Sequence, residues 1–397
     1  MKINKIIHAN VVTPYRVIED AEVCIENGII TYVGKMREDD SEREGVLDAK
    51  HQYLSSGFID LHTHGAGGHD FMDGTEEAFL EAAIVHAKHG TTLLLPTTLA
   101  CSNEELENVV KVFHQAKGKS KGAILYGLHL EGPYFSQNQR GAQDEKYIKA
   151  PDPVEYEALL NSTTDIVRWT AAPELERISE FACALRKHGI LASIGHSDAV
   201  LEDVQQAFEN GFTHITHLYS GMSAMVRKNS FRYPGVTESA YMIDEMTVEI
   251  IADGKHLPAS ILKYVYQTKG ADKICLVTDS MRGAGMPDGK SILGSLKAGQ
   301  EVVIEDGVAK LFDRSAFAGS VATADRVVRN MIQLADVPLC DAVRMMTATP
   351  ARIAKIKNKG IVALGYDADF TLYDSEINIK ATVVNGELIY RKQYEFV

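Results

Sequence analysis

The segment GFIDLHTHGAGGHD, residues 57–70, sets three histidines and two aspartates at the end of an otherwise apolar run. His62 and His64 stand two apart. On an extended strand that spacing puts both side chains on one face, where both imidazoles can reach a single ion at about 2.0–2.1 Å. A lone His-x-His pair is weak evidence, because hydrogen-bonded core histidines satisfy the same pattern. Here the pair has company: HLEGP carries His129 and Glu131, GHSDA carries His196, THLYSGM carries His217, ADGKH carries His256 and LVTDS carries Asp279. Each of these groups closes or follows an apolar run. Unpaired charge is costly in an apolar interior, so polar groups at strand end after strand end make sense if they converge on a cation.

The elements that would position them alternate. Eight strand-like runs (SSGFIDLHTH, TTLLLPTT, AILYGLHLEGP, DIVRWTAAPE, GILASIGHS, FTHITHLY, MTVEIIADGKH, KICLVTDS) are separated by longer stretches, several with helical periodicity. Helices are expected over 76–90, 103–117, 174–189, 199–211, 321–335 and 340–354, with strand-like EVVIEDGVAKLF before the last two. Eight βα repeats read as a (β/α)8 TIM-like barrel over residues 55–358, whose chemistry sits at the C-terminal ends of its strands. The two chain ends are different. Residues 1–54 and 359–397 carry short β segments with hairpin signals at Asn27-Gly28 and Asn385-Gly386, and are expected to pair into one small β-sandwich domain. The fold class is therefore α/β.

The chain has 397 residues, 45% hydrophobic and 24% charged, with a formal charge of -13. That composition is globular, and its sign argues against a broad nucleic-acid-binding face. No apolar run reaches the length of a membrane span. The five cysteines are scattered without a CxxC pair, which suggests reduced thiols and a cytoplasmic protein. Other histidines keep ordinary readings. His86 and His89 are expected on a surface helix, and His69 at the surface of the glycine-rich loop. His214 is expected on the opposite side of its strand from His217, and His129 in a layer behind Glu131.

Taken together, GFIDLHTHGAGGHDFMD, HLEGPY, APE, GHSDA, THLYSGM, ADGKH, LVTDS, FAGS and TATPARIAKI resemble the N-acetylglucosamine-6-phosphate deacetylases of the metal-dependent amidohydrolase superfamily. The resemblance spans nearly the whole chain. It implies that Glu131, His196 and His217 hold the principal divalent metal. His62 and His64 match a pair that completes a second site in some members, so one or two ions are implied, zinc or iron first. Many two-metal amidohydrolases bridge their ions with a carboxylated lysine from the fourth strand; AAPE has none, and Glu131 is the implied substitute. Asp279 matches the catalytic aspartate, a proton acceptor from water and donor to the leaving amine. His256 and Arg232 match residues that contact the sugar phosphate, which can be shared across a homodimer. The family usually reads HLYNAM where this chain has Tyr219, Ser220 and Gly221, and Gln143 stands where some members carry a substrate-contacting histidine. Those departures leave the galactosamine epimer open as substrate. The rival activities are cyclic-amide hydrolysis and nucleobase deamination; a catalytically dead scaffold would have lost metal ligands that this chain keeps.

Overall fold

The computed structural model describes residues 1–37 and 43–392, the side chain of Lys228 apart. Each of the eight strand-like runs contains a strand: β1 (Phe58–Thr63), β2 (Thr91–Pro96), β3 (Leu128–Glu131), β4 (Ile166–Ala171), β5 (Leu191–Ile194), β6 (Phe212–Ile215), β7 (Thr247–Ile251) and β8 (Ile274–Val277). All their pairings are parallel, β1 with β2 and then β3 through β8 in succession. A short piece just before β3, Ile124–Leu125, pairs with β2, so the third strand spans the seam between two sheets. At the other edge the Asp279 amide donates to the His62 carbonyl at 2.9 Å and the His64 amide to the Ser280 carbonyl at 2.8 Å. This is a TIM-like parallel α/β arrangement. Its strands read as unbroken apolar runs, as in the fully buried TTLLLP of β2, because helices cover a parallel sheet.

Local chemistry starts the helices where the sequence places them. Thr75 accepts from the Ala78 amide to begin α1 (Glu76–Lys88), and Ser102 and Glu105 form a reciprocal capping box at the start of α2 (Asn103–Ala116). The expected helix over 340–354 is two short ones, Leu339–Arg344 and Ala348–Ile353, separated where Thr347 leaves helical geometry (φ -134, ψ -85). Three further helices, Pro153–Ser162, Val236–Met242 and Ala259–Lys269, fill connections the periodicity left blank. One had a readable start: Asp152 caps it and Pro153 occupies its first turn.

The chain ends join in one eight-stranded sheet. Its order runs Glu387–Arg391, Ile379–Val384, Phe370–Tyr373, Tyr53–Ser56, Lys5–Val12, Val17–Glu26, Ile29–Lys35, with Val46–Asp48 also on Lys5–Val12. Both Asn-Gly pairs are hairpin turns with left-handed backbone, φ 50 and 77 at Asn27-Gly28 and φ 50 and 76 at Asn385-Gly386. The two turns meet: a Cβ on Gly28 would lie 2.9 Å from the Asn385 carbonyl oxygen. Residues 38–42 and 393–397 of the expected end-built domain lie outside the described residues.

Two buried threonines tie this sheet to the parallel one. Thr371 Oγ1 donates to the Gly90 carbonyl at 2.6 Å and Thr382 Oγ1 to the Ala87 carbonyl at 2.8 Å, both at the C-terminal end of α1. Valine at both positions keeps the shape and removes the bonds. We expect a loss of about 0.5–1.5 kcal/mol for each, read as a lower urea midpoint with native circular dichroism before the transition.

Candidate metal centre

Glu131, at the end of β3, is the hub. Its Oε1 lies 3.0 Å from His217 Nε2, 3.3 Å from His196 Nε2 and 3.4 Å from His62 Nε2. Its Oε2 lies 3.5 Å from His64 Nε2 and accepts from Gln143 Nε2 at 2.8 Å. Asp279 Oδ1 stands 3.1 Å from His64 Nε2 and 3.4 Å from His62 Nε2. Two overlapping triads, Glu131–His196–His217 and His62–His64–Glu131, each keep their donor atoms within 4.8 Å of one another. All six side chains are buried.

The far nitrogen of each imidazole decides what the near one can do. His64 Nδ1 lies 3.2 Å from the Thr97 carbonyl, His196 Nδ1 2.8 Å from the Gln139 carbonyl and His217 Nδ1 3.1 Å from the Ser220 carbonyl. A carbonyl only accepts, so each Nδ1 carries a hydrogen, and a ring in its neutral form turns the lone pair of Nε2 inward. His62 does the same against the Glu249 carboxylate at 3.2 Å, and its buried Nε2 has no hydrogen-bond partner. Inward lone pairs facing a carboxylate repel it unless a cation lies between. The donor set, imidazoles plus carboxylate, is one that zinc, iron, manganese or cobalt accepts, so these residues fit a divalent metal.

Titration in the bare cluster points the same way. Burial favours the neutral Glu131 carboxyl, but the charge of His62 and hydrogen bonds from His196 and His217 outweigh it and hold Glu131 well below the usual carboxylate range. Burial likewise opposes ionised Asp279, and the charge of His62 with the hydrogen bond and charge of His64 brings it down. Against its own burial, His62 is driven well above the ordinary histidine range by Asp279 and Glu131. The anions of the site thus call for positive charge, which a metal or a proton can meet.

The backbone bends to make this possible. Gly195 and Thr216 approach each other between β5 and β6, with a Cβ on Gly195 falling 3.0 Å from Thr216 Cβ. Strict alternation would then send the next residues, His196 and His217, away from that side. Both instead take left-handed backbone, φ 51 and 29, and Asp279 does so at φ 46. Such geometry is uncommon outside glycine and persists where the surroundings enforce it.

A model of the amidohydrolase family matches residues 53–389. The N-acetylglucosamine-6-phosphate deacetylase of Lysinibacillus sphaericus is 34% identical over 376 residues, covering 93% of each chain. The chain belongs to this deacetylase family. A solved N-acetylglucosamine-6-phosphate deacetylase from Mycobacterium smegmatis, in complex with N-acetyl-D-glucosamine-6-phosphate, matches with a TM-score of 0.88 at 27% identity, over 98% of this chain and all of that one. The N-acetylgalactosamine-6-phosphate deacetylase of Escherichia coli O157:H7 is 28% identical, over 94% of this chain and 95% of its own.

In this member of the deacetylase family a cavity of 240 Å³ opens beside the centre. Gln143, Ser220, Gly221 and His256 line it together with His64, Glu131, His196, His217 and Asp279. Gly221 is constrained: its φ is +55, and a Cβ would lie 2.8 Å from His196 Nδ1. His256 is held through Nδ1 by the buried Asp253 carboxylate at 2.8 Å and packs on Phe317, ring centres 4.8 Å apart. Two expected substrate contacts do not line the cavity. Tyr219 turns its hydroxyl to Tyr241 at 2.9 Å, and Arg232 lies exposed on the hairpin Val226–Lys228/Phe231–Tyr233.

Two other expectations are corrected. His86 is not a surface residue: α1 packs over the end of β1, so His86 is buried with Nε2 3.0 Å from Thr63 Oγ1, and burial lowers its pKa to about 3. His214 lies on the inner side with Thr216, bonded to Thr247 Oγ1 at 2.7 Å; it is His217 that leaves the alternation. His129 does sit behind the centre, satisfied by Thr97 and Thr170 hydroxyls at 3.2 and 2.7 Å. Sequence reasoning missed Arg168, Glu249, Asp253 and Phe317. The charged residues inside RWTAA and VEII were the available signal, since charge inside a parallel strand demands a partner.

Glu131→Gln keeps the size of the hub and removes its charge. It is expected to lose most of the metal that the unaltered protein retains through dialysis, measured as metal per chain by elemental analysis, with circular dichroism unchanged.

Proposed function

We propose that this chain hydrolyses the acetamide of N-acetylglucosamine-6-phosphate, releasing acetate and glucosamine-6-phosphate. The observation that carries the reading is Asp279, a carboxylate on the cavity wall 3.1 Å from His64 Nε2, beside a metal-type donor cluster in a chain of this family. Glu131, His196 and His217 hold the principal ion in this reading, and His62 and His64 a second, with zinc or iron as the metals. When bound, a divalent cation there polarises an amide oxygen and acidifies water.

The chain's own residues do the rest. Asp279, ionised, accepts a proton from the attacking water on its carboxylate and returns it to the amine nitrogen as the C–N bond breaks. His256, with Nδ1–H fixed on Asp253, presents Nε2 towards the substrate. Gln143 is held from both ends, Nε2 on Glu131 and Oε1 accepting from the Ala100 amide at 2.8 Å, and so serves as a rigid wall and donor. The Ser220-Gly221 backbone flanks the sugar. Arg232, on its exposed hairpin, does not line the cavity. A homodimer in which a second copy brings this hairpin, with exposed Met225 and Phe231 beside it, to the cavity mouth would supply a guanidinium suited to phosphate.

The same reading takes β1–β8 as one closed (β/α)8 barrel over 55–358, and the end-built sheet, 1–54 plus 359–397, as a β-sandwich. In support, Ile6 and Val23 from one end share a core with Phe370 and Val383 from the other. A cytoplasmic location accords with the five cysteines, all free thiols.

Acetate release should be compared on N-acetylglucosamine-6-phosphate, its galactosamine epimer and unphosphorylated N-acetylglucosamine. The first is expected to be preferred. Preference for the epimer would favour the second reading, which the Ser220-Gly221 departure supports; ammonia in place of acetate would move the chain to another amidohydrolase activity. Asp279→Asn should lower turnover by about 10²–10⁴-fold with metal content nearly unchanged, and near-normal turnover would remove Asp279 from the mechanism. Arg232→Ala should raise KM for the phosphate ester with little change in kcat; an unmoved KM would show that phosphate is held elsewhere.

A further inference from the structure

Beneath the centre lies a buried ion pair that the reaction does not touch. Arg168 on β4 and Glu249 on β7 are both fully buried and bonded to each other through Arg168 Nη1 and Glu249 Oε1. Arg168 is fixed by Ser193 Oγ at 3.0 Å, Thr216 Oγ1 at 2.7 Å and the Leu61 carbonyl at 3.3 Å. Glu249 Oε2 then faces His62 Nδ1 at 3.2 Å and the backbone amide of His217, also at 3.2 Å. A buried ion pair is poor evidence of stabilisation, because desolvation offsets much of the attraction. Its place suggests another purpose.

Of the four imidazoles around Glu131, three orient Nδ1 on a backbone carbonyl, and His62 alone does so on a carboxylate. We infer that Glu249, anchored by Arg168, is a positioning residue that keeps His62 in its Nδ1–H form and its Nε2 free for a cation. The inference rests on the metal-centre reading above. A carboxylate behind a ligating imidazole fixes ring orientation and raises ligand basicity more than a neutral carbonyl does. The anchor is needed as well: without Arg168, Glu249 would be an unpaired buried charge. Because His217 has its own ring acceptor in Ser220, loss of Glu249 should fall mainly on the ion that His62 holds.

The test is a zinc titration of metal-free protein against a chromophoric chelator, with near-ultraviolet circular dichroism as the check on folding. His62→Ala identifies the binding step that depends on His62. Arg168→Leu with Glu249→Leu removes both charges together and leaves His62 Nδ1 without an acceptor. That step is expected to weaken by about 10–100-fold while the step that survives His62→Ala changes little. A folded double variant that binds zinc at the His62-dependent step like the unaltered protein would overturn the inference. If the double variant does not fold, Arg168→Gln with Glu249→Gln decides: it keeps an acceptor at position 249 and leaves no unpaired charge, so a smaller weakening at the same step is expected, and none would overturn the role. Zinc binding untouched by His62→Ala would instead refute the second ion of the metal-centre reading, and this role with it, while leaving the Glu131–His196–His217 site standing.

Discussion

A single buried carboxylate organises this molecule. Glu131 faces four imidazole nitrogens at 3.0–3.5 Å, three of them on rings whose Nδ1 hydrogen is fixed by a backbone carbonyl. In their neutral forms these rings turn lone pairs towards the carboxylate, an arrangement that repels unless a cation or a proton lies between. Five neighbouring groups are therefore held in a geometry that only positive charge relieves, and the surrounding structure has to supply the force that holds them.

That force comes from two directions. From below, parallel strands deliver each donor side chain at a strand end, and Arg168 and Glu249 brace the inner layer. From above, loops supply the orienting carbonyls: Thr97 follows β2, Gln139 follows β3 and Ser220 follows β6. None of these four imidazoles is oriented by its own strand alone. The glycine-rich turn after β1 shows the same interdependence, since the amides of Gly67 and Gly68 donate to the carbonyls of Ala284 and Arg282 beyond β8, each at 2.8 Å. Bonds of this kind couple the first and last strands and leave the centre little freedom to relax.

Recognition is built differently from chemistry. The donor cluster is made by strands and is buried, whereas the cavity wall is made of loops: Gly141 to Gln143, Ser220-Gly221, His256 and the Ala316–Phe317 segment. Loops tolerate substitution more readily than strand ends. Substitution at Ser220-Gly221 can therefore reshape the cavity wall without disturbing the donor cluster, provided that the residue against His196 stays small. Arg232, exposed on its hairpin, is not part of that wall.

Much of this was legible before any coordinates. The alternation of apolar runs with helical stretches yielded the parallel strands, and the Asn-Gly pairs yielded both hairpin turns, because these are local properties written in a few adjacent residues. The metal-type cluster was legible for the same reason: histidine, glutamate and aspartate at strand ends have few other uses. The sequence could not show which carbonyl orients which imidazole, nor that His196 and His217 break the alternation of their strands through left-handed backbone. It read His86 as exposed and His214 as turned away, since exposure and side depend on what packs against an element. Arg168 and Glu249, eighty-one positions apart, became partners only when β4 and β7 closed on one interior. Residue types and local spacing determined what chemistry this protein can perform; contacts between distant strands decided which atoms are aimed at it, because only the folded chain sets the orientation of a ring or a carboxylate.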